Sequence, residues 1–259
     1  MAAQKATEQT PSFGFAWERL AELEFSFGHT AKALAALAKG LKLSPRNAQA
    51  IALKGFLLAA RNQSKEAQKF FDEAITADGA LGNAWLGRGL IKIHQGDKAG
   101  GLKDLQVAAV LEPNRSVLRS YLGKAFANEY DDQRAQRELK LAQKLDPDDP
   151  TSWLYLALLE QQENQINDAI NDLEKSKELN DNRGVYRSKL LLDQDQAVRS
   201  ANLAKIYQDA GMTDVSVNEA PEPLPRIMRT VQRIFFCRTL SMNCRPDTVQ
   251  SSLRNGLVQ

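Results

Sequence analysis

Apolar residues of two sizes recur along this chain at a fixed interval of 34 residues. Large apolar residues at this interval are Leu37, Phe71, Leu105, Leu139 and Leu173. Small residues keep the same interval in three further sets: Ala33, Ala67, Gly101, Ala135 and Ala169; Ala21, Gly55, Gly89, Gly123 and Ala157; and Gly40, Ala74, Ala108, Ala142 and Ser176. Small residues let two helix backbones come close, and a large residue opposite fills the remaining space. The pattern therefore predicts pairs of antiparallel helices.

Residues that break helices follow the same interval. Pro45, Pro113 and Pro147 are 68 and 34 residues apart, and Gly79 stands where a further member would fall. Proline cannot continue a helix and restricts the residue before it, so these positions mark the ends of helix pairs. Turns within the pairs are marked by Gly28, Gly96 and the Tyr-Asp-Asp sequence at 130–132. The tryptophans Trp17, Trp85 and Trp153 are 68 residues apart each time.

The periodicity divides the chain into units that we number by place from 1 to 34. Five gapless units occupy 14–47, 48–81, 82–115, 116–149 and 150–183. We expect residues 1–13 to be disordered and residues 184–196 to be an insertion. A partial sixth unit is predicted at 197–220, because Leu203, Ala204, Tyr207 and Gly211 fall on the places of the pattern.

The 34-residue helix–turn–helix unit resembles the tetratricopeptide repeat (TPR), whose landmarks are Trp, Leu-Gly, Ala, an aromatic residue and Pro. The stretches WERLA from Trp17 and WLYLA from Trp153 match its opening, and the resemblance covers 14–183. Lys54, Arg88, Arg119 and Asp181 depart from the pattern. The chain is similar to part of a long bacterial TPR array. The resemblance implies an all-α fold, a right-handed α-solenoid of antiparallel helix pairs.

The last segment, 221–259, falls outside the repeat. It holds six Arg, no Lys and two acids. Three interpretations stay open: a basic amphipathic segment for an acidic membrane surface, a disordered extension, or a segment read out of frame. We expect it to be poorly ordered. Its two cysteines, Cys237 and Cys244, have no common zinc spacing.

Composition excludes several functional classes. The net charge of +2 does not call for nucleic acid or an anionic membrane as partner. No stretch is apolar for the roughly 20 residues of a membrane span, and the first residues do not form a signal peptide. As written, the protein is expected in the cytoplasm, and an envelope location is the expectation if the chain is a fragment of a larger protein.

The sequence offers little for catalysis. It contains no phosphate-binding glycine loop, no nucleophile elbow and no histidine pair at metal spacing. The lone histidines His29 and His94 are more often structural or exposed. The acidic run 146–149 is interpreted as a turn in which Asp149 caps a helix and Pro150 lies in its first turn. We expect no enzyme activity and no cofactor.

Binding is the remaining function, since a solenoid leaves an extended concave surface. The resemblance to TPR arrays implies that places 2, 5, 9, 12 and 13 of the first helices line this groove. The candidate groove residues are Phe56, Leu86, Leu90, Ile93, His94, Lys124, Asn128, Leu154, Leu158 and Gln161. An extended or helical peptide with apolar anchors suits such a groove. The competing interpretation buries Phe56, Leu90, Ile93 and Leu158 between repeats.

Two functional hypotheses follow from these residues. The first is a non-catalytic scaffold that binds a peptide or protein segment in the groove. The alternative is a structural spacer, part of a larger bacterial envelope or polysaccharide-export TPR protein. A clamp for a C-terminal carboxylate is rejected, because only Lys124 and Asn128 suit it and the first unit offers Glu18 and Glu22.

Overall fold

The computed structural model describes residues 2–179, 202–203 and 205–207. These residues form an all-α solenoid of consecutive antiparallel helix pairs, with no strand in the described ranges. The helices are α1 Ala2–Gln9, α2 Gly14–Ser26, α3 Thr30–Leu43, α4 Ala48–Ala60, α5 Ser64–Ala77, α6 Gly82–His94, α7 Lys98–Leu111, α8 Ser116–Asn128, α9 Asp132–Leu145, α10 Pro150–Gln162 and α11 Ile166–Glu178.

The helix boundaries follow the period of the sequence. The first helices of the five pairs begin at Gly14, Ala48, Gly82, Ser116 and Pro150, the first residues of the five units. Each first helix packs against the second helix of its own unit, and neighbouring units contact each other through α3 and α4, α5 and α6, α7 and α8, and α9 and α10. Asp149 caps α10 as expected: its carboxylate accepts a hydrogen bond from the Thr151 amide at 2.8 Å, and Pro150 opens the helix.

The large and small residues of the pattern form the core between the helices. The five large residues, Leu37, Phe71, Leu105, Leu139 and Leu173, are buried. The ring of Phe71 shows why glycine faces it on two helices. A Cβ atom on Gly55 would lie 2.7 Å from Phe71 Cε1, and one on Gly87 would lie 2.2 Å from the same atom. The aromatic ring thus occupies the space that a Cβ atom at position 55 or 87 would need.

The turn inside each unit has the same backbone conformation. The residue at place 15 is left-handed in all five units: Gly28 (φ 79°), Asn62 (φ 62°), Gly96 (φ 97°), Tyr130 (φ 60°) and Asn164 (φ 62°). In each unit the backbone amides at places 15 and 16 donate hydrogen bonds to carbonyls near the end of the first helix. These bonds satisfy carbonyls that would otherwise have no partner at the helix end. Glycine and asparagine tolerate this region, whereas tyrosine is strained there.

The tryptophans join each unit to the turn before it. The indole Nε1 atoms of Trp17, Trp85 and Trp153 donate hydrogen bonds of 2.8, 2.9 and 3.0 Å to the carbonyls six residues earlier. Arg119 departs from the repeat pattern in sequence but keeps this contact. Its Nε atom donates to the Pro113 carbonyl at 3.1 Å, also six residues earlier.

The N-terminal segment corrects one expectation. Residues 1–13 were expected to be disordered, but α1 occupies Ala2–Gln9 and packs on α2. The turn after α1 repeats the geometry of the turns between units. Thr10 donates to the Ala6 carbonyl and Phe13 to the Thr10 carbonyl, as Ser44 and Asn47 do one period later. The acceptor of the Trp17 bond is Pro11, which lies 34 residues before Pro45.

At the other end, described residues continue the stack. Leu203, Ile206 and Tyr207 are buried against Ala157, Ala169 and Leu173. Counted from residue 197, Leu203 and Ile206 occupy places 7 and 10, where Leu156 and Leu159 of α10 pack on the fourth unit. The expected insertion 184–196, most of the partial unit 197–220 and the segment 221–259 lie outside the described residues.

Candidate ligand-binding groove

The first helices of three consecutive units enclose a hollow of about 420 Å³. We call it the N-terminal hollow. It is lined by Glu18, Arg19, Glu22, Leu23, Phe25, Ser26, Gln49, Ala52, Leu53, Phe56, Leu81 and Asn83. Most of these residues lie on α2, α4 and α6, so the hollow runs across neighbouring units instead of lying within one. A solenoid presents its ligand surface in this way, because the first helices stand side by side along the array.

Two carboxylates give the N-terminal hollow its charge. Glu18 and Glu22 lie one helical turn apart on α2, and both line the hollow. Burial raises the pKa of Glu18, and the neighbouring Glu22 carboxylate adds to this rise. Glu22 forms an ion pair with Arg19, whose side chain is more than half exposed. Within the described part of the chain, Glu18 has no side-chain hydrogen bond or ion pair.

The groove residues expected from the sequence do not all meet at one place. Phe56 lines the N-terminal hollow, and its ring lies edge to face with Phe71 at a centroid distance of 4.9 Å. Leu86 is buried, and Leu90 and Ile93 pack, half-buried, on the core between the third and fourth units. Leu90 and Ile93, two of the four side chains in the competing interpretation, therefore contact the core between units.

The remaining expected residues are spread along the array. His94 is exposed and lines a second hollow with Ser64, Lys65, Gln68, Lys69, Asp72 and Gln95, mostly from α5. The structure therefore separates His94 from Phe56. Leu154 packs on the cluster that holds Leu203 and Ile206. Leu158 and Gln161 are half-buried on α10, and Asn128 is exposed at the end of α8.

Lys124 lies between the fourth and fifth units. Its ammonium group stands 4.7 Å from the centre of the Tyr155 ring, a cation–π contact across α8 and α10. Burial lowers the pKa of the Lys124 amine. No carboxylate of the described residues forms an ion pair with it. The groove thus changes its charge along the array, from Glu22 at place 9 of the first unit to Lys124 at place 9 of the fourth.

Sequence reasoning missed most of the N-terminal hollow. Glu18 and Glu22 were noticed only as evidence against a carboxylate clamp, and Gln49 and Asn83 were not chosen as site residues. The signal was present, because Gln49 and Asn83 occupy place 2 and Glu18 occupies place 5 of the groove pattern. A choice of groove residues by hydrophobicity favours the apolar residues of the third unit, whereas a choice by position in the repeat includes these polar residues.

Two charged clusters lie between helices, away from the N-terminal hollow. In the third unit, the Arg88 guanidinium donates two hydrogen bonds to Asp104, at 2.7 and 2.9 Å, and a third to Asp72 at 3.0 Å. Lys92 contacts the same Asp104 carboxylate at 2.9 Å. The bonds to Asp104 raise the pKa of Arg88. Each buried charge in this cluster has a partner.

The fifth unit has a second cluster at matching places, and it is acidic. Burial raises the pKa of Glu160 to about 7, and the carboxylates of Asp172 and Asp168 add to the rise. Burial likewise raises the pKa of Asp172 to about 6. One oxygen of Glu160, Oε2, is buried without a hydrogen-bond partner among the described residues.

Metal and membrane sites were also sought in the described ranges. Residues 2–179 and 202–207, with the gap at 204, bring together no group of three or more His, Cys, Asp or Glu side chains that could hold a metal ion. Over the same residues, every helix is too short or too polar to cross a bilayer.

The helix-pair fold of the described residues is similar to that of solved proteins. The described residues have the fold of a tetratricopeptide repeat array. A chain of the APC/C hetero-tetramer Cut9-Hcn1 matches with a TM-score of 0.68 at 20% sequence identity, over 84% of this chain and 40% of that one. This chain therefore spans well under half the length of that protein.

Two bacterial proteins are similar over most of their own length. TTC0263, a thermophilic TPR protein in Thermus thermophilus, has a TM-score of 0.60 at 17% identity and covers 72% of this chain and 98% of its own. PilF of Pseudomonas aeruginosa has a TM-score of 0.58 at 19% identity, with 78% and 88% covered. At these identities the likeness shows the fold alone. No family model and no curated protein matches the sequence.

Proposed function

We propose that this protein is a non-catalytic scaffold that binds a segment of a partner protein, in extended form, along the groove of its first helices. The observation that carries the proposal is the N-terminal hollow of about 420 Å³, which is built by three consecutive first helices. A hollow that crosses units suits a chain running along the array better than a compact small molecule.

The lining chemistry supports a peptide ligand. Gln49 and Asn83 each offer an amide donor and acceptor, the same pair of groups that a peptide backbone presents. Phe56, Ala52 and Leu53 offer apolar surface beside them. Polar groups that fix a backbone and apolar groups that hold side chains are the usual means by which peptides in extended form are recognised.

Selection from a random peptide display library, followed by fluorescence anisotropy on the selected peptides, tests this function. We expect Asn83→Ala and Phe56→Leu to weaken binding at least fivefold, the loss of about one hydrogen bond or part of one apolar contact. The matched control is Gln68→Ala, which removes an amide from the second hollow on α5. Equal affinities for all four proteins would overturn the proposal.

The second candidate function is a spacer within a larger assembly. One observation favours it: Leu203 and Ile206 pack on the fifth unit as Leu156 and Leu159 pack on the fourth, so the stack continues with the same contacts. A spacer needs such stacking and no ligand. Failure of the library to yield any peptide that depends on the groove residues is the result expected of a spacer.

A further inference from the structure

The N-terminal hollow holds a carboxylate whose charge is not neutralised. Glu18 is half-buried on α2 and makes no ion pair within the described residues. The other carboxylate of the hollow, Glu22, already pairs with Arg19. Among the residues that line the hollow, Arg19 is the single cation, and its side chain points far enough out to be 55% exposed. The inner part of the hollow is therefore acidic.

A half-buried carboxylate beside another carboxylate is costly unless a cation joins it. The raised pKa of Glu18 expresses this cost, since burial and Glu22 disfavour its charged form more than the nearby charge of Arg19 favours it. A lysine ammonium or an arginine guanidinium from a ligand would supply the missing charge and donate hydrogen bonds to the carboxylate. Charge-assisted hydrogen bonds of this kind are about twice as strong as neutral ones.

The opposite charge lies further along the same face. Place 9 carries Glu22 in the first unit and Lys124 in the fourth. A basic side chain of the ligand is therefore attracted by Glu18 and Glu22 at the first unit and repelled by Lys124 at the fourth. This difference fixes where along the groove a basic residue of the ligand can sit, as complementary charges fix register at other protein interfaces.

We propose that the N-terminal hollow selects a ligand segment with a lysine or arginine side chain, which pairs with Glu18 inside the hollow. This inference rests on the proposed function and adds the chemical class of the recognised residue. The apolar wall at Phe56 and Ala52 contacts the stem of such a side chain, because lysine and arginine carry a long apolar stem behind the charged group.

The test is a positional scanning library of peptides nine residues long, in which each position in turn is Lys, Arg, Gln or Glu, measured against the full chain. We expect one position to favour Lys or Arg over Gln by roughly tenfold, the effect of one charge-assisted hydrogen bond. Glu18→Gln should abolish this preference, and Glu18→Lys should invert it in favour of Glu.

The matched control is Glu73→Gln, which removes the same charge from an exposed position on the second helix α5. It should leave the preference for a basic residue unchanged. Circular dichroism and thermal unfolding of each variant show that the array is intact. A loss of preference in Glu73→Gln equal to that in Glu18→Gln would overturn the inference, because net charge alone would then explain the selection.

Proton release gives a second readout that does not depend on a variant. A bound cation lowers the pKa of Glu18, so binding at mildly acidic pH should release protons, whereas Gln peptides should release fewer. Calorimetry in two buffers of different ionisation enthalpy measures the number released. Peptides that bind in the groove, need Phe56 and show no basic preference would overturn this inference and leave the proposed function standing. A library without any groove-dependent peptide would overturn both.

Discussion

The third and fifth units carry charged residues at the same places, but the charges are paired in the third unit and are mainly acidic in the fifth. Places 11 and 23 carry Lys92 and Asp104 in the third unit, and Glu160 and Asp172 in the fifth. In the third unit Asp104 is 4% exposed and bonded to two cations. In the fifth, Glu160 is 7% exposed and lies beside acids.

The difference shows that the repeat fixes position and leaves charge free to vary. Both units have the same helix pair, with small residues at places 8, 20 and 27 and leucine at place 24, so the backbone brings places 11 and 23 together in each. Whether the contact between places 11 and 23 stabilises the array depends on the charge of the residue at place 11. It depends also on place 7, which is Arg88 in the third unit and Leu156 in the fifth. The helix pair therefore tolerates both a neutralised cluster and an acidic one.

The largest expected effect comes from removing the shared anion of the third unit. Asp104→Asn leaves Arg88 and Lys92 without their buried carboxylate and should lower the free energy of unfolding by about 3 kcal/mol, as for a broken buried ion pair. Urea unfolding at pH 7 measures it. The matched variant is Asp172→Asn in the fifth unit, which removes a carboxylate from an acidic cluster and should stabilise. Equal losses in both variants would break the comparison.

The second effect is a pH dependence that arises from the fifth unit. The folded pKa of Glu160, about 7, lies above its ordinary value of 4.5, so the folded state binds this proton more tightly. The free energy of unfolding should therefore fall as the pH rises from 4.5 through 7, by about 2 kcal/mol for this group. The charged groups around it are Asp172, Asp168, Lys140 and Glu163.

Urea unfolding between pH 4.5 and pH 8 of the wild type and of Glu160→Gln measures the contribution of Glu160 together with its coupling to Asp172 and Asp168. The variant should be the more stable protein at pH 8 and should lose this advantage at pH 4.5. A difference between the two proteins that stays constant over the range would show that Glu160 titrates normally in the folded state.

A smaller effect is expected from giving the fifth unit the charge of the third. Glu160→Lys places a cation at place 11, where Lys92 meets Asp104 in the third unit. It should pair with Asp172 and raise the free energy of unfolding at pH 8 by about 1–2 kcal/mol, since it removes one repulsion and adds one ion pair. Glu129→Lys is the control, with the same change of net charge at the exposed turn position of the fourth unit. Equal gains would point to net charge alone.

The turns allow the same comparison without charge. Tyr130 and Asn62 both occupy place 15 with φ near 60°, and the Tyr130 side chain is 89% exposed. Tyr130→Asn should raise the free energy of unfolding by about 1 kcal/mol, because asparagine tolerates the left-handed region and tyrosine does not. Asn62→Tyr should lose a similar amount. Thermal unfolding of the two variants measures both changes. A lower free energy of unfolding in Tyr130→Asn would mean that the tyrosine ring has a stabilising contact.

Much of the fold could be predicted because its cause is periodic. Places 8, 20 and 27 carry small residues and place 24 carries a large one, and these residues set how closely two helices pack. The sequence did not predict α1, because the 13 residues before the first full unit are too few to show the pattern of a complete helix pair. The signal that was overlooked is Pro11, one period before Pro45.

The candidate site was harder to predict, for a physical reason. The repeat pattern predicts groove positions within each unit separately. The N-terminal hollow, however, is formed by residues of three units, among them Glu18, Ala52 and Asn83. Apolar residues at groove places also contact the next unit, so Leu90 and Ile93 satisfy both interpretations in the sequence and only packing separates them. Arg119 departs from the sequence pattern, yet its side chain donates to the carbonyl six residues earlier, as the tryptophans of other units do.

The hydrogen-bonded tryptophans have a consequence for observing how the array comes apart. Trp17, Trp85 and Trp153 lie in the first, third and fifth units, and each indole is tied to the turn that precedes its own unit. Loss of that bond changes the surroundings of the half-buried indole and therefore its emission. Three proteins that each retain one tryptophan would therefore report separately on the first, third and fifth units. In a linear stack, where each unit contacts only its neighbours, ends can open before the centre. Fluorescence of these three proteins would resolve that order along the chain.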